Sequence, residues 1–333
     1  MVRLEAASPN TEYLQRMDRP PVNSSLRPVS NRPAHWAVVL AGGDGTRLQS
    51  LTLKISGDSR PKQFCSIFGG KSLLSQTWQR LGPLFPRDHT MTVLSGAHER
   101  FYREELPPAN SHVLVQPENR GTGVAITTSI LRIMRSDMDA MVAFFPCDHY
   151  YKDEDAFAVT IRSAMAFAEE HPTSLVLLGA QAHLPEVEYG WIEPGQAIRD
   201  LPLLRVNRFW EKPSLPEAQA LLRRGCLWNT FVTVGRAETF LELLCAEIPD
   251  VVSSIAAALT DQDLDPAYRG LSTIDFSHAV LVPQPHRLLV VRDAVSGWAD
   301  LGNPARVIDT LTRNNIEPAW LAGMRSQAEV VKS

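Results

Sequence analysis

From Trp36 onward the chain alternates short runs of apolar, β-branched or aromatic residues with stretches whose apolar positions recur at helical spacing. Parallel strands joined by crossover helices read this way, because strands covered on both faces become continuous apolar runs. Strands are predicted over residues 36–41, 91–94, 113–116, 141–145, 175–178, 203–209, 230–234 and 287–291. Helices are predicted over 72–81, 122–135, 154–170, 216–224, 236–248 and 249–259. The third of these carries Phe157, Ile161, Ala164, Met165 and Ala168 on one face, with Asp153 placed to cap it. No Pro/Gly-rich linker divides the chain after residue 36, so one continuous α/β unit over 35–310 is expected, followed by a C-terminal helix or tail over 311–333. Residues 1–34 hold five prolines and five arginines with little apolar periodicity, which reads as a disordered extension.

Composition narrows the function classes. A net charge of −4 gives no general basic surface for a nucleic-acid backbone or an anionic membrane, so any anionic ligand must be met by a few local cations. The four cysteines form no Cys-x-x-Cys pair, which fits neither a disulfide framework nor a zinc site and suits a reducing cytoplasm. The longest apolar runs are far short of a membrane span, and nothing before Ala34 resembles a signal-peptide hydrophobic region. A cytoplasmic protein that engages neither membrane nor nucleic acid is expected.

The run from Trp36 to Ala41 leads straight into Gly42, Gly43 and Gly45. Such glycines let main-chain N–H groups turn toward an anion without a Cβ in the way. The spacing is neither the dinucleotide Gly-x-Gly-x-x-Gly nor a Walker loop, since no Gly-Lys-Ser/Thr follows. Two cations stand at defined places after it, Arg47 directly behind the loop and Lys62 in Arg60-Pro61-Lys62-Gln63-Phe64. Asp148, in Phe144-Phe145-Pro146-Cys147-Asp148-His149, ends a fully apolar strand, where open α/β sheets bind their ligands, and is the first candidate metal ligand. His149 has no second His or Cys at zinc spacing and reads as a packing or hydrogen-bonding residue.

The segment Gly42-Gly43-Asp44-Gly45-Thr46-Arg47-Leu48 with its following Pro61-Lys62 resembles the signature of the sugar-1-phosphate nucleotidyltransferases, and Pro61-Lys62-Gln63-Phe64 resembles the form found in the mannose-1-phosphate guanylyltransferases. The resemblance implies a Rossmann-like, three-layer, GT-A-like α/β fold, with a mixed, mainly parallel central sheet and a small C-terminal segment. It implies that Leu40, Gly42, Gly43, Gly45 and Thr46 bind the nucleotide, that Arg47 holds the departing pyrophosphate, and that Lys62 sits near the α-phosphate. Further matches follow in the family's order. Gln116-Pro117-Glu118-Asn119-Arg120-Gly121-Thr122 implies base contacts from Gln116, Gly121 and Thr122. Tyr189-Gly190-Trp191-Ile192-Glu193 implies that Gly190 and Glu193 touch sugar hydroxyls. Phe209-Trp210-Glu211-Lys212-Pro213 implies Lys212 on the sugar phosphate and Glu211 near the sugar. Leu227-Trp228-Asn229 implies that Asn229 reads a hydroxyl. Trp298-Ala299-Asp300-Leu301-Gly302 implies Asp300 as the second metal carboxylate, beside Asp148. The chain departs from the pattern in an insertion-like stretch from Gln49 to Ser59, in Gly123-Val124 where Ala-Pro is usual, in Cys147 for Ser, and in Thr230-Phe231 for Ser-Gly.

The implied reaction is magnesium-dependent attack of a sugar-1-phosphate oxygen on the nucleotide α-phosphorus, with GTP and mannose 1-phosphate as the expected pair, GDP-mannose and pyrophosphate as products, and no covalent enzyme intermediate. Partners are then small molecules, with a homodimer allowed. Two alternatives stand beside it. A catalytically inactive nucleotide-sugar-binding regulator would have little need of both metal aspartates. A glycosyltransferase would show Asp-x-Asp near the end of a central strand, and Asp153-Glu154-Asp155 reads better as a helix N-terminus.

Overall fold

The computed structural model describes residues 33–322 apart from 104, 106–110, 199–200 and 294. The extension expected over 1–34 falls almost wholly outside the described residues, as do 323–333. The strands are β1 (His35–Leu40), β2 (Thr90–Ser95), β3 (His112–Gln116), β4 (Met141–Pro146), β5 (His149–Tyr150), β6 (Leu175–Gln181), β7 (Gly190–Ala197), β8 (Leu203–Glu211), β9 (Leu227–Arg236), β10 (Leu288–Asp293) and β11 (Ala299–Asp300). Nine of them form one sheet in the order β3-β2-β1-β4-β9-β6-β10-β8-β7, while β11 and β5 pair separately.

Alternation along the strands builds three layers. Val38, Val142, Phe144, Leu175, Leu177 and Val290 point to one face, where they meet Val124, Ile130, Phe240, Val251 and Ile255 of the helices Gly121–Met134, Ala237–Glu247 and Pro249–Asp261. Their neighbours Ala37, Val39, Ala143, Phe145, Val176, Leu178 and Val291 point to the other face, against Leu74, Leu81, Phe157, Ile161 and Met165 of Leu73–Leu81 and Glu154–Glu170. Each of the Val, Leu, Ile, Phe and Met side chains taken from water contributes about 1.5–3 kcal/mol before entropy is counted. Asp153 accepts from Ala156 N at 2.8 Å and Ser72 from Ser75 N at 3.1 Å, so side-chain oxygens start both helices of the second face.

The sheet is mixed, as expected, but not mainly parallel. Four pairings, β1 with β2 and β4, β2 with β3, and β6 with β10, are parallel. Five are antiparallel, because β9 runs reversed between β4 and β6, and β8 and β7 return at the far edge. A strand buried on both faces is a continuous apolar run in either direction, and nothing in that run records its polarity.

Two further features shape the site. The stretch after the glycine loop is a helix, Gln49–Ser56, closed by Gly57 at φ 77°. With Leu48, its Leu51 joins Cys65, Ile67, Leu301, Val307, Leu311 and Leu321 in a satellite core that couples the loop to the C-terminal helix Pro304–Arg313. That helix runs across residue 310, and Trp320 Nε1 beyond it donates to Ile67 O at 2.8 Å. No helix among the described residues is long and apolar enough to cross a membrane.

Candidate active site

A cleft of about 580 Å³ opens at the carboxyl ends of β1, β3 and β4. All eight residues expected to bind nucleotide, Leu40, Gly42, Gly43, Gly45, Thr46, Gln116, Gly121 and Thr122, line it, together with Arg47, Lys62 and Asp148. Gly45 has φ 60°, and a Cβ on it would stand 3.0 Å from Lys62 N, so here glycine is needed twice over. The loop is held from below by Gln63, whose buried amide donates to Ala41 O at 3.0 Å and Gly43 O at 2.7 Å. Asp44 ties it sideways, to His98 Nε2 and to Asn119 Nδ2, each at 3.1 Å. Gln63, Asp44 and Asn119 lie in motifs already singled out and His98 does not, and all four roles need the fold.

The short β5–β11 pair brings the two candidate metal carboxylates to one place, since Asp300 lies opposite His149, the neighbour of Asp148. Lys62 Nζ is 2.9 Å from Asp148 Oδ2 and donates to Leu301 O at 3.4 Å. Burial works against the Lys62 charge, but the Asp148 and Asp300 carboxylates outweigh it and hold the ammonium above its ordinary pKa. Burial likewise opposes the Asp148 charge, and the Lys62 ammonium outweighs it, holding that carboxyl below its ordinary value. Both groups are therefore ionised at neutral pH. Burial lowers the pKa of His149, whose Nδ1 accepts from Trp298 Nε1 at 3.1 Å, leaving it a neutral, packed ring.

Asp300 Oδ1 is buried with no hydrogen-bond partner, and the nearest cation to its other oxygen is Arg306, at 3.7 Å. A buried, unpaired carboxylate oxygen is costly unless something binds it. Among the described residues no three His, Cys, Asp or Glu side chains gather as a metal cage. Two carboxylates, one of them holding an open oxygen, fit magnesium, which keeps its remaining positions for water and phosphate.

The residues expected at the sugar divide. A Cβ on Gly190 would meet Glu211 Oε2 at 2.9 Å and Asn229 Cβ at 3.2 Å, so this glycine lets Glu211 and Asn229 close together. Lys212, held at φ 47°, reaches Glu211 Oε1 at 2.8 Å and Asp275 Oδ2 at 3.5 Å. Burial pushes the Glu211 carboxyl above its ordinary pKa in spite of Lys212. Glu193 is not brought into this cluster: strand alternation places it on the face of Trp191, and it pairs with Arg224 at 3.3 Å. Asn229 Oδ1 accepts from Phe231 N at 3.1 Å. Phe231 stands in the left-handed region at φ 64°, within a bulge where the β6–β9 register shifts.

The segment Thr273–Phe276, which no motif marks in the sequence, borders the cleft. Ile274 N donates to Arg120 O at 3.0 Å, Gly123 N to Ile274 O at 2.9 Å, and Phe276 N to Thr122 Oγ1 at 2.9 Å. Thr273 and Asp275 thereby line the cleft. Having neither strand alternation nor helical period, the segment offers no sequence signal except by its contacts. Behind Gln116, the buried Tyr268 hydroxyl donates to the amide at 3.3 Å.

The pattern of the family described as nucleotidyl transferase matches residues 36–314. The chain belongs to the nucleotidyl transferase family. Among curated family members, the xanthan biosynthesis protein XanB of Xanthomonas campestris pv. campestris is 32% identical over 286 residues, 82% of this chain and 58% of that protein. The mannose-1-phosphate guanylyltransferase of Escherichia coli K12 is 30% identical over 285 residues, 80% of this chain and 58% of that protein. The chain thus spans well under two thirds of the length of these relatives. Among solved structures, one described as a mannose-1-phosphate geranyltransferase from Thermus thermophilus superposes with a TM-score of 0.74 at 30% identity, covering 85% of this chain and 79% of that one. The fold is therefore the nucleotidyltransferase α/β fold.

Proposed function

We propose that this protein transfers a nucleotidyl group, GMP from GTP, to a sugar 1-phosphate, mannose 1-phosphate, releasing pyrophosphate. The observation that carries the reading is Lys62: an ammonium kept charged by Asp148 at 2.9 Å, at the edge of a glycine loop open to anions. Two polyanions must be brought in line, and Arg47, Lys62 and Lys212 supply the charge that offsets their repulsion. The main-chain N–H groups of the glycine loop hold the triphosphate. Gln116 meets the base, while Glu211 and Asn229 meet the sugar. Magnesium would be held by Asp148 and Asp300; when bound it would neutralise charge on the phosphates and on the leaving pyrophosphate. The preference for guanine and mannose rests on Pro61-Lys62-Gln63-Phe64 and on what the E. coli relative is named for.

The test is a panel of nucleoside triphosphates against sugar 1-phosphates with pyrophosphate as the readout. GTP with mannose 1-phosphate should give the highest kcat/KM. A different best pair would overturn the base or sugar assignment alone, whereas silence across the panel, with nucleotide sugar still bound, would leave a regulatory binding protein.

A further inference from the structure

Arg47, the residue assigned to the leaving pyrophosphate, is already engaged: its Nη1 donates to Glu188 Oε1 at 2.8 Å. Two mobile surface side chains that meet in this way say little, since they part freely. Glu188 is held differently. Its second oxygen is 2.8 Å from Arg306 Nη2 and accepts from Asn303 Nδ2 at 3.4 Å. Arg306 has a side chain only 13% exposed, pairs with Glu186 at 2.6 Å, and lies 4.3 Å above the Tyr189 ring. Asn303 is fixed as the cap of the helix Pro304–Arg313, its Oδ1 accepting from Arg306 N at 3.0 Å. Glu188 is thus a carboxylate clamped on one side by donors built into the fold, offering its other oxygen to Arg47. Toward a guanidinium, that oxygen does what a phosphate oxygen does: it accepts a charge-assisted N–H bond.

We propose that Glu188 is an internal competitor of pyrophosphate for Arg47. It holds the guanidinium at the mouth of the cleft before the triphosphate arrives, gives it up to the phosphates, and takes it back as pyrophosphate leaves. The exchange is non-covalent, one anionic acceptor for another. The inference rests on the assignment of Arg47 to pyrophosphate made above. Its sign is the opposite of an ordinary supporting contact: loss of the carboxylate tightens pyrophosphate.

Calorimetric titration of the full chain with pyrophosphate, in the presence of magnesium, reads this without turnover. Glu188→Gln should tighten pyrophosphate by about fivefold, the upper range for an exposed ion pair. Glu188→Asp, which keeps the charge but draws it back by one methylene, should tighten it as well. Arg47→Gln should weaken binding, and in that background Glu188→Gln should have no further effect. Equal tightening in both backgrounds would mean a general field effect and would overturn the proposal, as would unchanged or weaker binding in Glu188→Gln. If Arg47→Gln binds as tightly as the parent, the assignment of Arg47 has failed instead. Melting temperatures of the four variants verify that each is folded.

Discussion

Phe231 shows how much one side chain can depart from its backbone's preference. It occupies φ 64°, a conformation that disfavours a Cβ, at a position where the resembled motif has glycine. Relief of that conformation should make Phe231→Gly more stable than Phe231→Ala by about 1 kcal/mol, the reverse of the order in an ordinary strand, as read from urea unfolding. Asp148 carries a sharper prediction. Asp148→Asn should lower magnesium-dependent turnover by about 10²–10³-fold while the circular dichroism spectrum stays native, and near-normal activity would remove Asp148 from the site. Glu211 is tuned the other way. Burial raises its folded pKa, so its stabilising contribution is present below the ordinary carboxylate value and lost as pH rises through the raised one. Stability of Glu211→Gln relative to the parent should therefore climb as pH rises above the ordinary carboxylate range, and a pH-independent difference would contradict the raised pKa.

At the scale of elements, the cleft is assembled by pieces that carry little regular structure. The segment Thr273–Phe276 lies so close to the first turn of helix Gly121–Met134 that a Cβ on Gly123 would stand 2.6 Å from Ile274 Cγ2, and one on Gly121 2.3 Å from Ile274 O. The Gly123-Val124 departure thus has a steric partner in Ile274. Gly123→Ala should cost about 1–3 kcal/mol by overpacking, and most of that cost should vanish in an Ile274→Ala background, where the clashing methyl is gone. An undiminished cost in the double variant would place the strain elsewhere. The helix Gln49–Ser56 and the β5–β11 pair act in the same way, the first seating the glycine loop on the C-terminal helix and the second delivering Asp300 beside Asp148.

Over the whole molecule, one sheet carries the glycine loop, Gln116 and Asp148 at the ends of its parallel half and Gly190, Lys212 and Asn229 on its antiparallel half. A nucleotide bound across such a site should stabilise the fold, by about 2.7 kcal/mol at one hundred times its Kd, and a thermal melt with magnesium and GTP should move up by several degrees. No shift with any triphosphate would count against the nucleotide site. Much of this architecture was legible in the chain itself. Apolar periodicity located most of the major strands and helices, the cap at Asp153 among them, and short motifs named the cleft-lining loop with Arg47, Lys62 and Asp148, because these depend on residues adjacent in sequence. Sheet polarity, the closing segment around Ile274, and the hold of Glu188 on Arg47 were decided only by tertiary structure. Each depends on two stretches that are distant in sequence and meet only in space, and a direction or a contact between such stretches leaves no period in either one.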